Sequence, residues 1–241
     1  MKAFFHWLLL CALALFALQL YFVIRIASMA VVAPQSTAFQ RSEAYRIAAE
    51  KGKLPWSQQW VGYDKLGDNI KSAVIASEDD SFAYHDGVDW EALEKAWNKN
   101  SKAEQRVAQR PGNQPAKLPK VVGGSTITQQ LAKNLFLSGE RTLLRKGQEF
   151  VLTMLLEHLL SKERILEIYL NSVEWGEGVF GAEAAAQHYY RKSVSKLSAY
   201  EAARLAVMLP RPKYFEKIPN SGYLSSRAGV IAGRMGDALL P

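Results

Sequence analysis

From Phe4 to Ile24 only His6 and Gln19 interrupt an apolar run, and apolar character resumes after Arg25 as far as Val32. No other stretch limits the fold so much, because backbone in hydrocarbon must satisfy its own hydrogen bonds and does so as a helix. Crossing a bilayer takes roughly 20 residues, whereas secretory h-regions run to about 7–15. The run is long enough to span, so a retained single-pass anchor is expected. Ser28-Met29-Ala30 has the small residues of a cleavage site, which keeps a removable signal peptide as the alternative. Lys2 on the short side points to a cytoplasmic N-terminus, with the large remainder across the membrane. Arg25 then lies near the outer interface, where its stem can snorkel. The single cysteine, Cys11, sits inside the run and excludes an intrachain disulfide.

The 241 residues allow one substantial domain beyond this segment. The expected division is a cytoplasmic tip and anchor over 1–33, a juxtamembrane linker over 34–55, and a folded domain over 56–241. With 49% hydrophobic and 22% charged residues the chain can build a core. A formal charge of +7 favours anionic partners such as phospholipid surfaces or diphosphates. The basic residues are dispersed and not interleaved with aromatics, so nucleic acid is not expected.

Helical periodicity dominates the domain. Leu66, Ile70, Ala73, Val74 and Ser77 fall on one face, and Glu78 continues it at the C-terminal end. An acid there points to a core or cleft, where partial burial raises its pKa as a general base requires. A capped acid with local hydrogen bonds is the blander alternative. The polar, proline-containing stretch 98–120 reads as a flexible basic loop, either an inert insertion or a lid. Helices are expected over Thr128–Leu137, Leu143–Leu160, from Lys162 to about Asn171, over Ala182–Tyr190 and over Leu197–Leu209. Strand alternation is scarce, so the fold class is mainly α.

Gly123–Asn134 reads GGSTITQQLAKN. Gly124 lets backbone approach a ligand, Ser125, Thr126, Thr128, Gln129 and Gln130 offer neutral polar groups, and Lys133-Asn134 closes the run with a cation. That set suits a phosphorylated sugar, although an ordinary loop and amphipathic helix would look similar. Arg141, Arg145 and Glu149 recur every four residues, with Lys146 beside them. The stripe is either a solvated ion-pair face or a place where arginines receive a diphosphate while Glu149 faces a sugar.

Five segments then occur in order: EDDSFAYHDGVD (Glu78–Asp89), GGSTITQQLAKN, RKGQE (Arg145–Glu149), KERILEIYLN (Lys162–Asn171) and GVFGAEAAAQHYY (Gly178–Tyr190). Together they resemble the peptidoglycan glycosyltransferases, glycosyltransferase family 51, and within them the monofunctional Gram-negative members. The resemblance covers roughly Leu54 onward. It implies a lysozyme-like helical domain with a small membrane-facing jaw. It also implies polymerisation of lipid II, with the growing strand as donor and the GlcNAc 4-hydroxyl as acceptor. Inversion gives a β-1,4 link and releases undecaprenyl diphosphate. By this resemblance Glu78 is the base and Glu149 organises the donor side. Lys133, Arg141 and Arg145 stabilise the leaving diphosphate. Asp79, Phe82, His85 and the polar residues of the second segment shape the site.

No cofactor is required on this reading. A divalent cation, Mg or Mn, would assist at the diphosphate, but no ligand cluster demands one. Implied partners are lipid II, the nascent strand, anionic membrane lipid, and divisome or penicillin-binding proteins. The implied location is the bacterial inner membrane with a periplasmic domain. Two rivals remain: a membrane-anchored muramidase, and an inactive lipid II-binding scaffold. Stretch 98–120 exceeds the family's usual connection and is expected to shield the donor site or touch anionic lipid. Ser193–Lys196 spells SxxK, but KTG and SDN are absent, so it reads as a helix connection without transpeptidase chemistry.

Overall fold

The computed structural model describes residues 1–108, 124–140 and 142–241. Its first helix, α1 (Lys2–Ser28), is long and apolar enough to cross a membrane and is almost wholly unburied. At about 1.5 Å per residue it spans about 40 Å. Its last turns dock on the domain: Phe22, Ile26 and Met29 are buried, and Phe22 meets Phe136 edge-on at 5.4 Å. Gln19, one of two polar breaks in the run, exchanges amide hydrogen bonds with Gln148 at 3.1 and 3.4 Å. The break is therefore a docking contact.

The stretch 34–55 is more than a linker. It contains α2 (Ala38–Lys51), opened by a Thr37/Gln40 capping box and closed by left-handed Gly52. Gln40 and Ile47 are buried, and the Gln40 amide reaches the Ser172 carbonyl at 3.3 Å. A short strand β1 (Ser57–Gln58) leads to α3 (Asp68–Glu78). Next come α4 (Trp90–Ala108), α5 (Ile127–Phe136), α6 (Leu143–Leu159) and α7 (Lys162–Ser172). Strands β2 (Glu174–Gly176) and β3 (Val179–Phe180) form a hairpin whose second strand pairs in parallel with β1, giving the order β1-β3-β2. Helices α8 (Ala182–Tyr190), α9 (Ala199–Met208), α10 (Pro212–Glu216) and α11 (Gly222–Arg234) complete the domain.

Residues 98–108 continue α4, which corrects the loop reading for that half; 109–120 lie outside the described residues. The reason is visible in α4 itself. Its second half reads NKNSKAEQRVA, with no apolar stripe to recognise, and among the described residues of the whole helix only Ala96 is buried. Helix α3 is the opposite case. Ile70, Ala73, Val74, Ile75 and Ala76 are all buried, and α3 packs against α9 and α11 as the domain's central rod. In α6, Leu152 and Leu156 face the core, whereas Val151 is exposed.

The loop from α3 to α4 turns on Gly87, at φ +87°. A Cβ there would lie 2.8 Å from the side chains of both Glu157 and Thr153. Left-handed strain of roughly 1–2 kcal/mol adds to an overpacking cost of about 1–3 kcal/mol. Gly87→Ala should therefore destabilise the domain by about 2–5 kcal/mol, read as a lower melting temperature in detergent.

Candidate active site

Glu78 ends α3 at the wall of a 440 Å³ cavity that also includes Ser77, Asp79 and Ser125. Burial pushes its carboxyl above the ordinary range; a hydrogen bond from Gln130 opposes that rise, and the Asp79 charge adds to it. The bond runs from Gln130 Nε2 to Glu78 Oε2 at 3.0 Å. An ionised Glu78 can only accept, so Gln130 presents its Nε2 to it, and its Oε1 is then left to accept from the Tyr169 hydroxyl at 2.9 Å. Tyr169 is fully buried, and burial holds its phenol well above its usual pKa, so it remains the donor. The chain Tyr169 to Gln130 to Glu78 thus aims an N–H at the carboxylate. Neither GGSTITQQLAKN nor KERILEIYLN discloses that link alone.

Asp79 points the other way. Its Oδ2 accepts the Ile127 amide at 2.9 Å, at the start of α5, and its Oδ1 lies 2.9 Å from His85 Nε2. His85 Nδ1 accepts from the Gly87 amide at 3.1 Å, so a neutral ring carries its proton on Nε2 and donates to Asp79. Asp79 therefore ties the end of α3 to the start of α5, fixing Glu78 against Gln130. Thr126 joins the same clamp by donating to the Gly87 carbonyl at 2.7 Å.

A second cavity of 570 Å³ shares Ser125 with the first and is lined by Gln130, Lys133, Asn134, Arg145, Lys146 and Glu149. Glu149 is 4% exposed, bound by Arg145 at 3.0 Å and by Lys146. The Arg145 Nε is buried without a protein partner among the described residues. Lys133 opens to solvent, yet its ammonium lies in a concave wall. Desolvation there lowers its pKa; Glu149 opposes the fall, and Arg145 and Lys146 reinforce it. Lys133, Arg145 and Lys146 gather around the buried Glu149, and Glu140 and Glu174 complete the charged lining, so the Lys133 corner of the cavity is a cationic cluster suited to an anion.

The expected residues divide by role. Glu78, Ser125, Gln130, Lys133, Asn134, Arg145, Lys146 and Glu149 line the two cavities. Gly124, Thr126 and Gln129 border them too, but serve the fold. Thr126 and Gln129 cap α5 reciprocally, worth about 0.5–2 kcal/mol. Gly124 accommodates α4, since a Cβ there would stand 3.3 Å from the Leu93 Cα. Phe82 lines neither cavity: it is fully buried beneath Lys162, whose ammonium sits 4.6 Å from the ring centre. Thr128 is also fully buried and donates to Glu157 at 2.6 Å. Arg141 lies outside the described residues. Sequence reading missed Glu174, a buried acid of the second cavity; burial raises its pKa to about 7 against the pull of Lys213.

A helical domain carrying a buried acid beside a cationic cluster defines a class of carbohydrate-transferring enzymes, and sequence relatives narrow it. Residues 47–236 match the transglycosylase family model, and the chain belongs to that family. It is 55% identical over 225 residues to the biosynthetic peptidoglycan transglycosylase of Burkholderia thailandensis, covering 93% of this chain and 82% of that one. The proteins of that name from Burkholderia multivorans and Paraburkholderia phytofirmans are each 51% identical over 230 residues. These matches cover 95% of this chain and 88% and 90% of theirs. The fold is accordingly the lysozyme-like helical domain of this family.

Proposed function

We propose that the protein polymerises peptidoglycan glycan strands, and that Glu78 and the Lys133 cluster act on opposite sides of one transfer. The observation that carries this reading is the pairing of a pKa-raised carboxylate with a cationic cluster, in cavities joined at Ser125. Glu78 takes the proton of the GlcNAc 4-hydroxyl of lipid II as that oxygen attacks the donor's anomeric carbon. The bond from that carbon to the lipid diphosphate breaks, the centre inverts, and undecaprenyl diphosphate departs. Lys133, Arg145 and Lys146 receive the negative charge that builds on the leaving oxygens. Glu149 holds the two α6 cations in place.

Among the described residues no three His, Cys, Asp or Glu side chains come together, and Glu149 is already engaged by two cations. A divalent ion at the diphosphate would draw its ligands mainly from the substrate's phosphates, and Lys133, Arg145 and Lys146 stand where they can neutralise the same charge. The anchor reading assigns α1 to the inner membrane with the domain periplasmic. The exposed Trp90, Leu93 and Trp97, one stripe of α4, support contact with membrane lipid. Divisome or penicillin-binding proteins would share the same lipid II pool.

The direct test is incubation of full-length protein with lipid II in detergent. Glycan strands that a muramidase digests are the expected product. Release of fragments from preformed glycan, with no synthesis, would replace this reading with the hydrolase.

The acid limb of the pH–rate profile supplies a second check. The base must be ionised, so activity rises with pH through the Glu78 pKa and is lost below it. Gln130→Ala removes the hydrogen bond that lowers this pKa, and the limb should move to higher pH. Tyr169→Phe frees Gln130 to turn and should move it the same way by less. Rates measured from about pH 4 to about pH 9, a window that brackets a raised carboxyl pKa, report both shifts.

A further inference from the structure

Gln19 stands inside the apolar helix α1, well before its end at Ser28, and its amide faces that of Gln148 in α6. Each donates to the other, Gln19 Nε2 to Gln148 Oε1 at 3.1 Å and Gln148 Nε2 to Gln19 Oε1 at 3.4 Å. Both side chains are partly buried at the contact. A polar side chain within a membrane-crossing segment is costly and marks function by default. Docking alone does not call for one. Phe22 against Phe136 already seats the helix, and replacing both partners of a hydrogen bond by apolar groups of the same shape is close to neutral. What the amide pair adds is register: apolar contacts tolerate a slide, whereas two reciprocal hydrogen bonds close at one position only.

The register it sets is that of α6. Gln148 directly precedes Glu149 and lies one turn beyond Arg145, on the side of α6 turned to α1. Arg145 and Glu149 meet at 3.0 Å on the side turned to the Lys133 cavity. Helix α1 reaches the other half of the cationic cluster as well, because Phe136 lies one turn beyond Lys133 in α5. One helix thus braces the two that carry the cations. Its end is fastened by Arg164 of α7, whose Nε donates to the Met29 carbonyl at 2.7 Å. A slip of about 1 Å in α6 would move Arg145 against Lys133, a misplacement large enough to be felt in the rate.

We propose that Gln19 is a positioning residue for the transfer: its amide pair with Gln148 holds α6 in register and so fixes Arg145 and Glu149 against Lys133, an inference that rests on the transfer reading above. The anchor is then part of the catalytic architecture as well as a tether. Gln19 itself touches no substrate. Its effect is felt where charge gathers on the leaving diphosphate, so its loss lowers kcat more than it raises KM. Glu78 and Gln130 lie on α3 and α5, outside the bonded pair, and the acid limb of the pH–rate profile stays in place.

The test is Gln19→Leu, Gln148→Leu and the double variant in full-length protein, with initial rates measured across lipid II concentrations in detergent. Leucine keeps α1 apolar, so insertion is retained. Each single variant should lower kcat roughly three- to thirtyfold, the worth of an interhelical hydrogen bond in a membrane protein, with KM within about twofold. The double variant should fall no further, because both changes remove the same bond. It also leaves neither amide unpaired, so its melting temperature should return to that of the wild type while kcat stays low. Three results overturn the assignment: kcat within about twofold of a polymerising wild type in every variant, losses that multiply in the double variant, or a double variant that regains its rate along with its melting temperature. A wild type that makes no glycan overturns the transfer reading instead, and this positioning role with it.

Discussion

Glu78→Gln should lower glycan polymerisation roughly 100- to 10,000-fold, the usual worth of a positioned general base. The substitution keeps the shape of the side chain, and its amide oxygen can still accept from Gln130, 3.0 Å away in the native protein. What it cannot do is take a proton. The melting temperature should therefore hold or rise, because burial already disfavours the charged carboxylate. The residual rate should also lose its acid limb, since the titrating group is gone. Initial rates in detergent at several pH values, beside a thermal melt, check all three. A variant as active as wild type would remove Glu78 from the mechanism and leave the transfer without a base on that wall.

Why Glu78 is legible in sequence while its partners are not follows from the periods involved. Leu66, Ile70, Ala73 and Val74 announce a buried helix face, and an acid continuing it is conspicuous. The polar run after Gly124 looks uniformly like ligand donors. Helix geometry sorts it. Gln130, Lys133 and Asn134, at i, i+3 and i+4, share the cleft face, whereas Thr126 and Gln129 turn back on the helix end and Thr128 points to Glu157. Phe82 stands among site-like neighbours, three residues before His85, yet a large apolar side chain belongs by default to the core, and there it lies.

Two other elements are hidden for different reasons. Helix α2 is polar on most sides, so no apolar stripe marks it. Its Thr37/Gln40 box and Gly52 are the signals that delimit it. The Tyr169 hydroxyl lies 39 positions from Gln130, and only the packing of α7 against α5 brings them together. Local pattern carries capping and periodicity; it does not carry which buried hydroxyl orients which amide.

Lys133→Ala should cost roughly 100- to 1,000-fold in kcat, comparable to removing one preorganised donor from a developing anion. Lys133 stands in the cavity with Arg145, Lys146 and Glu149, where leaving-group charge is to be received. Lys133→Arg should restore part of the rate, because the charge survives but the compact ammonium does not. Stability should behave differently. The folded protein lowers the Lys133 pKa below its unfolded value, chiefly by desolvation and against the attraction of Glu149. With the side chain protonated in both states near neutral pH, the fold bears an unfavourable charge that alanine removes. The melting temperature should hold or rise while kcat falls, measured on the same preparation. A structural lysine would lose both together. Opposite signs are what a cation kept for the substrate's anion should give, since its stabilising partner arrives only with that substrate.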